Sequence, residues 1–366
     1  MTERRLTAIV LAAGEGTRMR STRPKPLHLL CGRAMLLYVL DSLADCDVSK
    51  AVVVVGHGAE LVTKKLQEQA GDLVLDFVEQ HVQRGTGDAV SVGLTGSLDD
   101  DDDGDIVVLP GDTPLLRAST IATLVREHQI SGAACTILTA RSDDATGYGR
   151  IIRGKDDNVV RIVEQRDATS EERAITEWNT SIYCFRQSVL APALRRVTPE
   201  NDQGEYYLTD VVEVLHDAGY PIVAVVAPDD NEAQGINDRR QLARAEAALR
   251  ARTNDRWLGL GVTMLDPDRT YIDATVQLAP DVTLFPGTLL QGATVIGEGA
   301  EIGPNTRLAD SVVGAHCIVE ETVGRHADIG AAAIVGPYAV LEPGSQVAPG
   351  TRTGPFYTAS AEDGTP

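Results

Sequence analysis

The residues with the clearest chemical potential lie near the N-terminus, where an apolar run ends in Leu11-Ala12-Ala13-Gly14-Glu15-Gly16-Thr17-Arg18-Met19 and Pro24-Lys25-Pro26 follows. Gly14 and Gly16 permit positive φ and close backbone approach, so the loop can wrap a triphosphate with its N–H groups while Arg18 and Lys25 supply charge. A glycine-bearing turn after a strand is by itself common. Two glycines, an Arg and a Lys after Pro within one short stretch form a more specific combination. It is not a Walker loop, which requires Gly-Lys-Ser/Thr, and it lacks the third glycine of the dinucleotide fingerprint.

Such a loop needs a rigid support, and short β-branched runs supply one: Leu6–Leu11, Ala51–Val55, Ile106–Leu109, Ala134–Leu138 and Ile222–Val226, with helix-like segments between them. Continuous apolar runs of this length suit strands buried on both faces of a mostly parallel sheet. Residues 1–235 are therefore expected to form one α/β domain. From Asp238 to Trp257, Leu242, Ala245 and Leu249 recur at helical spacing among charges, which predicts a connecting helix within 236–262.

Beyond the helix the pattern becomes a hexapeptide period. Aliphatic residues fall at Ile272, Leu278, Leu284, Leu290, Ile296, Ile302 and Leu308, then after short slips at Val313 and Val319, and again at Val323, Ile329, Val335, Leu341 and Val347. Each coil's inward aliphatic can stack on the next, so 263–358 are expected to form a parallel β-helix serving as a stacking and oligomerising stalk. The run Asp99–Asp103 reads as a solvated loop, because adjacent carboxylates diverge and repel. The acidic tail 359–366 is expected to be disordered.

At 366 residues the chain has room for two cores. Its 33 basic and 53 acidic side chains leave a net charge of -20, a field that repels nucleic acid and anionic membrane. A local cluster of cations and N–H groups can still hold a small phosphorylated substrate. Cys31, Cys46, Cys135, Cys184 and Cys317 show no zinc-ligand spacing and read as buried free thiols. No apolar run approaches the roughly 18 residues needed to span a bilayer. The chain is expected to be cytoplasmic.

Further motifs follow the glycine loop in order: Gln80-His-Val-Gln-Arg-Gly-Thr-Gly87, Gly111-Asp-Thr-Pro-Leu115, Gly147-Tyr-Gly-Arg150, Ile162-Val-Glu-Gln-Arg-Asp-Ala168, Glu177-Trp-Asn179, Gly204-Glu-Tyr-Tyr-Leu-Thr-Asp210 and Gly235-Ile-Asn237. With Leu-x-x-Gly-x-Gly-Thr-Arg-Met and Pro-Lys, this set resembles the sugar nucleotidylyltransferases. The chain resembles in particular the bacterial bifunctional N-acetylglucosamine-1-phosphate uridylyltransferase and glucosamine-1-phosphate acetyltransferase family. The resemblance implies a Rossmann-like α/β nucleotidylyltransferase domain followed by a left-handed β-helix of hexapeptide repeats, assembled as a homotrimer.

It also implies roles for particular residues. Leu11, Ala12, Ala13, Gly14 and Gly16 would line the nucleotide site, and Gln80, Gly85 and Thr86 resemble the uracil-reading segment, which favours UTP. An amide can pair with a base edge, and a glycine leaves the base room to approach. Asp112, at the carboxyl edge where open α/β sheets bind ligands, and Asn237 resemble the ligands of Mg²⁺. Gly149, Glu164 and Asn179 correspond to the sugar pocket. The expected reaction is in-line attack by N-acetylglucosamine-1-phosphate on the α-phosphorus of UTP, with Arg18 and Lys25 as the catalytic cations. His28 is read as structural.

The second activity of the family is not expected. The chain ends before the later coils that carry basic and histidine residues, and Glu342 in Val340-Leu-Glu-Pro-Gly344 stands where the family has an arginine. Two alternatives stay open at this point. One is a nucleotidylyltransferase for another nucleotide or sugar-1-phosphate, and the other is a non-catalytic sugar-nucleotide-binding scaffold.

Overall fold

The structure, a computed structural model, describes residues 4–69, 71–96 and 104–360. The acidic run 99–103 and the tail from 361 onward, expected as a solvated loop and a disordered end, lie outside the described residues. The chain divides into two compact units at 241/242, and residues 29–33 group with the second. No described helix is long and apolar enough to cross a membrane.

In the first unit the chain runs through β1 (Leu6–Ala12), α1 (Met35–Ala44), β2 (Lys50–Val55), α2 (Ala59–Gln69), β3 (Leu75–Glu79), α3 (Thr86–Leu94), β4 (Asp105–Pro110), α4 (Ala118–Ser131) and β5 (Cys135–Arg141). It continues through β6 (Arg150–Arg153), β7 (Val159–Val163), β8 (Glu177–Arg186), α5 (Gln187–Leu194), α6 (Asp210–Asp217) and β9 (Ile222–Val226). The sheet order is β9-β5-β8-β4-β1-β2-β3. β1 pairs in parallel with β2 and β4, while β8 runs antiparallel to β4, β5 and β6.

Both faces of this sheet are covered, which explains its unbroken apolar runs. Ala8, Val10, Val53, Val107 and Leu109 pack toward α1, α2 and α4. Ile9, Val52, Val54, Ile106 and Val108 pack toward α3, α5 and α6 on the other side. Ile9 has no exposed surface, and truncating such a side chain to alanine costs about 2–5 kcal/mol. With both faces closed, ligands can approach only at the strand ends and the loops that leave them.

The linking helix is α7 (Arg239–Gly259). Asp238 starts it by accepting the Arg240 and Gln241 N–H groups at 2.8 Å each, a side-chain N-cap.

In the second unit, pairs of β residues form three parallel ladders, the architecture of a left-handed parallel β-helix. Leu284, Ile302, Val319 and Val335 stack along one wall, Leu278, Ile296, Val313, Ile329 and Val347 along another, and Ile272, Leu290, Leu308 and Leu341 along the third. Buried hydroxyls close the corners: Thr288 Oγ1 donates to Phe285 O at 2.7 Å, and Thr294 Oγ1 to Gln291 O at 2.7 Å.

One repeat position is corrected. Val323 is 42% exposed, and Gly324 takes the inward place opposite Leu308. The four-residue step after Val319 falls one residue short, so side-chain alternation turns Val323 outward. The last strand, Thr358–Ala359, pairs with Val340–Leu341 and so runs one residue into the segment expected as tail.

Candidate active site

A cavity of about 350 Å³ opens where β1, β3 and β4 end. Leu11, Ala12, Ala13 and Gly14 line it from the first loop, Lys25 and Pro26 from the next turn, Gln80, Gly85 and Thr86 from the segment after β3, and Asp112 from the turn after β4. This is the carboxyl edge of the parallel strands, the usual ligand position in open α/β sheets.

The two glycines of the loop differ. Gly16 has φ 64, and a Cβ there would lie 2.7 Å from Lys25 Cβ, so only glycine lets the loop pass the lysine stem. Gly14 is not in the left-handed region, and a Cβ there would meet nothing within 4 Å. The expected positive φ holds at Gly16 alone.

At the cationic end, Lys25 Nζ donates to the Asp112 carboxylate and to Asn237 Oδ1 at 2.9 Å. Arg18 Nη2 donates to the same Asn237 oxygen at 3.0 Å. The Asn237 segment is drawn in by the Ile236 N–H, which donates to Asp112 O at 2.9 Å. Gly235 leaves room for this approach: a Cβ on it would sit 3.1 Å from Asp112 Oδ1. The four side chains carry two positive charges and one negative, a net balance suited to phosphate oxygens.

The opposite end is built by two segments clasped together. Tyr206 N–H donates to Arg84 O at 2.7 Å, Gly87 N–H to Tyr206 O at 2.8 Å, and Leu208 N–H to Thr86 Oγ1 at 3.0 Å. The glycine at 85, which also lines the cavity, makes this clasp possible: with φ 114, a Cβ would stand 2.5 Å from Tyr206 O. Gln80 is 5% exposed and donates its amide to Asp88 Oδ2 at 2.7 Å.

None of the three positions expected for the sugar lines this cavity. Glu164 lies in a separate cavity with Asp167, Tyr207 and Asp210 and accepts from Thr209 Oγ1 at 3.3 Å. Burial raises its pKa, Asp210 and Asp167 add to the rise, and the Thr209 hydrogen bond opposes it. Asn179 is 2% exposed, and its amide makes one bond at each end to its own strand. Nδ2 donates to Tyr183 OH at 2.8 Å, and Oδ1 accepts the Ser181 N–H at 3.2 Å. These bonds brace an irregularity in β8 between Asn179 and Ile182, where Ser181 adopts φ 62. Gly149 O accepts the Asn179 N–H at 2.9 Å, so these two positions are neighbours.

Several residues of the site carry no sequence signal of their own. Gln83 donates Nε2 to Ala13 O at 2.7 Å and so ties the segment after β3 to the glycine loop. Ser181 and Glu205 complete the wall. Gln83 and Glu205 lie inside motifs quoted above, whereas Ser181 reaches the cavity only because of the β8 irregularity. Tyr148 stacks on Trp178 at 4.1 Å between ring centroids. Burial and then the Asp112 carboxylate push the Tyr148 hydroxyl upward in pKa. His28 is buried beside Arg239, with Nδ1 3.3 Å from Nη1, and burial and that cation lower its pKa.

The chain matches a family model described as Nucleotidyl transferase over residues 7–263. It is 45% identical over 323 residues to the bifunctional protein GlmU of Thermobifida fusca, covering 88% of this chain and 66% of that one. It is 47% identical over 322 residues to the same-named protein of Streptomyces avermitilis, with 88% and 66% covered. For the protein of that name in Heliobacterium modesticaldum the figures are 43% over 317 residues, 87% and 68%. The chain thus spans about two thirds of the length of these curated relatives. Among solved structures, UDP-glucose pyrophosphorylase complexed with UDP-glucose superimposes with a TM-score of 0.56 over 68% of this chain and 99% of that one. Its 14% identity speaks to the fold alone. The family match over most of the first unit, joined to identities of this size, places the chain in the nucleotidyl transferase family.

Proposed function

We propose that the chain transfers UMP from UTP to N-acetylglucosamine-1-phosphate, forming UDP-N-acetylglucosamine and releasing pyrophosphate. The observation that carries this reading is the convergence on one cavity of the glycine loop, Lys25, Gln80 and Asp112. Asn237 joins that cluster by accepting from Lys25, and Arg18 by donating to the same Asn237 oxygen.

The sugar phosphate is already an anion, so the site must position it rather than deprotonate it. Its oxygen bonds to the α-phosphorus as the bond to the bridging oxygen breaks, and the electron pair leaves with pyrophosphate. Lys25 and Arg18 offset charge on the phosphates, and backbone N–H groups of the glycine loop add fixed dipoles. Glu164, an acceptor when ionised, suits sugar hydroxyls in the second cavity.

Asp112 and Asn237 also fit a divalent ion. The Asp112 carboxylate and Asn237 Oδ1 meet at a single point, presently taken by the Lys25 ammonium, and hard cations choose such oxygen donors, completed by phosphates and water. Mg²⁺ held there would supply Lewis-acid polarisation of the phosphate oxygens.

Assembly as a homotrimer through the second unit is part of the same reading. Tyr271, Val323 and Val340 are exposed along one ladder of the β-helix, and Val295 and Val312 along the next, which leaves an apolar flank to cover. Light scattering that gives a monomer mass at micromolar concentration contradicts it.

The deciding experiment is a substrate panel. Purified protein with Mg²⁺, UTP and N-acetylglucosamine-1-phosphate should release pyrophosphate faster than with dTTP or with glucose-1-phosphate. Faster release with another pair reassigns the substrates, and sugar-nucleotide binding without turnover on any pair makes the chain a scaffold.

A further inference from the structure

Gln80 carries more information than its place in the cavity. Its amide nitrogen donates to Asp88 Oδ2 at 2.7 Å and lies 3.4 Å from Gly85 O. A carboxylate and a peptide carbonyl accept and do not donate, so the NH₂ end of the amide must face them. Among the described residues no donor is recorded for Gln80 Oε1, and that oxygen is not among the sealed, unpartnered atoms. The free end of the amide is therefore a hydrogen-bond acceptor.

Asp88 holds its place rigidly. It sits in the first turn of α3, and the residues on either side of the helix start are bound to Tyr206 and Leu208. The second acceptor, Gly85 O, belongs to the same clasped segment.

We propose that Asp88 is a positioning residue that sets the hydrogen-bond polarity of Gln80 and thereby selects the pyrimidine. This rests on the reading of the cavity as a nucleoside triphosphate site. An acceptor facing the base edge requires a donor in return. The imide N–H of uracil or thymine supplies one, whereas the corresponding ring nitrogen of cytosine is an acceptor and meets the Gln80 oxygen lone pair to lone pair. Without Asp88 the amide can turn over and offer its NH₂ to cytosine, with Gly85 O as the only remaining lock.

The alternative is that Asp88 simply favours the helix N-terminus as a first-turn acid. That role would change folding and leave nucleotide preference alone.

The test uses the full chain with Mg·UTP and Mg·CTP. Affinities are measured by titration calorimetry and kcat/KM with N-acetylglucosamine-1-phosphate, for wild type, Asp88→Ala and Asp88→Asn. Wild type should prefer UTP strongly. In Asp88→Ala the UTP/CTP ratio should fall by on the order of tenfold or more, carried by KM and affinity rather than by kcat. Asp88→Asn should fall between, since its side-chain amide can hold Gln80 in either orientation. The ratio is independent of the folded fraction, and Asp88→Asn serves if the alanine variant folds poorly. An unchanged ratio in both variants overturns the proposal while leaving the UTP reading intact. A wild type that binds neither nucleotide, or both equally, overturns the two together.

Discussion

Lys25→Met separates the chemical role of the ammonium from its structural one. The lysine stem passes against Gly16, and methionine keeps an unbranched chain of similar girth there, so the loop is spared while the charge is removed. In the protein the Lys25 and Asp112 side chains are 14% and 21% exposed. Breaking a fully buried pair costs about 3–5 kcal/mol and an exposed one under about 1 kcal/mol. For this partly buried pair we expect a loss of roughly 1–3 kcal/mol, measured by denaturant unfolding in EDTA. The effect on turnover should be larger. A positioned donor to a developing anion contributes about 10²–10³ in kcat, read as pyrophosphate release at saturating substrates. The double variant Lys25→Met with Asp112→Asn has no stranded carboxylate and should recover most of the stability but none of the activity. A kcat for Lys25→Met within about fivefold of wild type would refute the assignment. A double variant no more stable than Lys25→Met would refute the pairing.

Other consequences follow from the same geometry. Asp112→Asn should raise the Mg²⁺ needed for half-maximal turnover and lower kcat by orders of magnitude, and unchanged turnover at limiting Mg²⁺ removes Asp112 from the metal site. Asp210 is pushed up to about 6 from an ordinary 3.8, first by burial and then by Glu213 and Asp167. Below 3.8 both folded and unfolded states hold the proton, and between 3.8 and about 6 only the folded state does, so this group's contribution is lost as pH rises through that window. Its upper bound is about 3 kcal/mol, reduced to about 1 by residual exposure and by its place at a helix start. Asp210→Asn should therefore be more stable than wild type at pH 8 and converge with it near pH 4; a gap that widens toward low pH reverses the sign and the argument. Finally, this chain should release no CoA above a no-enzyme control with acetyl-CoA and glucosamine-1-phosphate. Glu342 is exposed and anionic, and His316 and His326 sit exposed on corners with φ 58 and 46. Measurable CoA release would mean these coils hold an acetyltransferase site.

The parts of the fold most legible in the sequence are those whose burial is symmetric or repetitive. β1, β2, β4, β5 and β9 were visible as β-branched runs, and the coils as a hexapeptide period. β3, β6, β7 and β8 were harder. Leu75-Asp-Phe-Val-Glu79 is only half-buried, and Glu177–Arg186 mixes buried polar residues with an internal irregularity, so neither presents a clean period. In the β-helix, period alone could not say which way Val323 points after a slip, because that depends on pairing with Leu308.

The site divides in the same manner. Local chemistry marked Gly16, Arg18 and Lys25, since each acts through its own backbone or charge. Gly85 answers to Tyr206 and Gln83 to Ala13, contacts between distant segments that no spacing rule encodes. Asn179 shows the converse. Its amide reads as a ligand-binding group in sequence, and in the structure each of its ends also makes one bond that braces the strand irregularity.

The most direct test of the account follows the phosphorus itself. UTP labelled at the α-phosphate is incubated with the chain, Mg²⁺ and N-acetylglucosamine-1-phosphate, and the products are separated. The account predicts label in UDP-N-acetylglucosamine, one pyrophosphate released per transfer, and no label retained on the protein when the reaction is quenched before completion. Label remaining in UTP contradicts the proposed function, and label trapped covalently on the protein contradicts direct attack by the sugar phosphate.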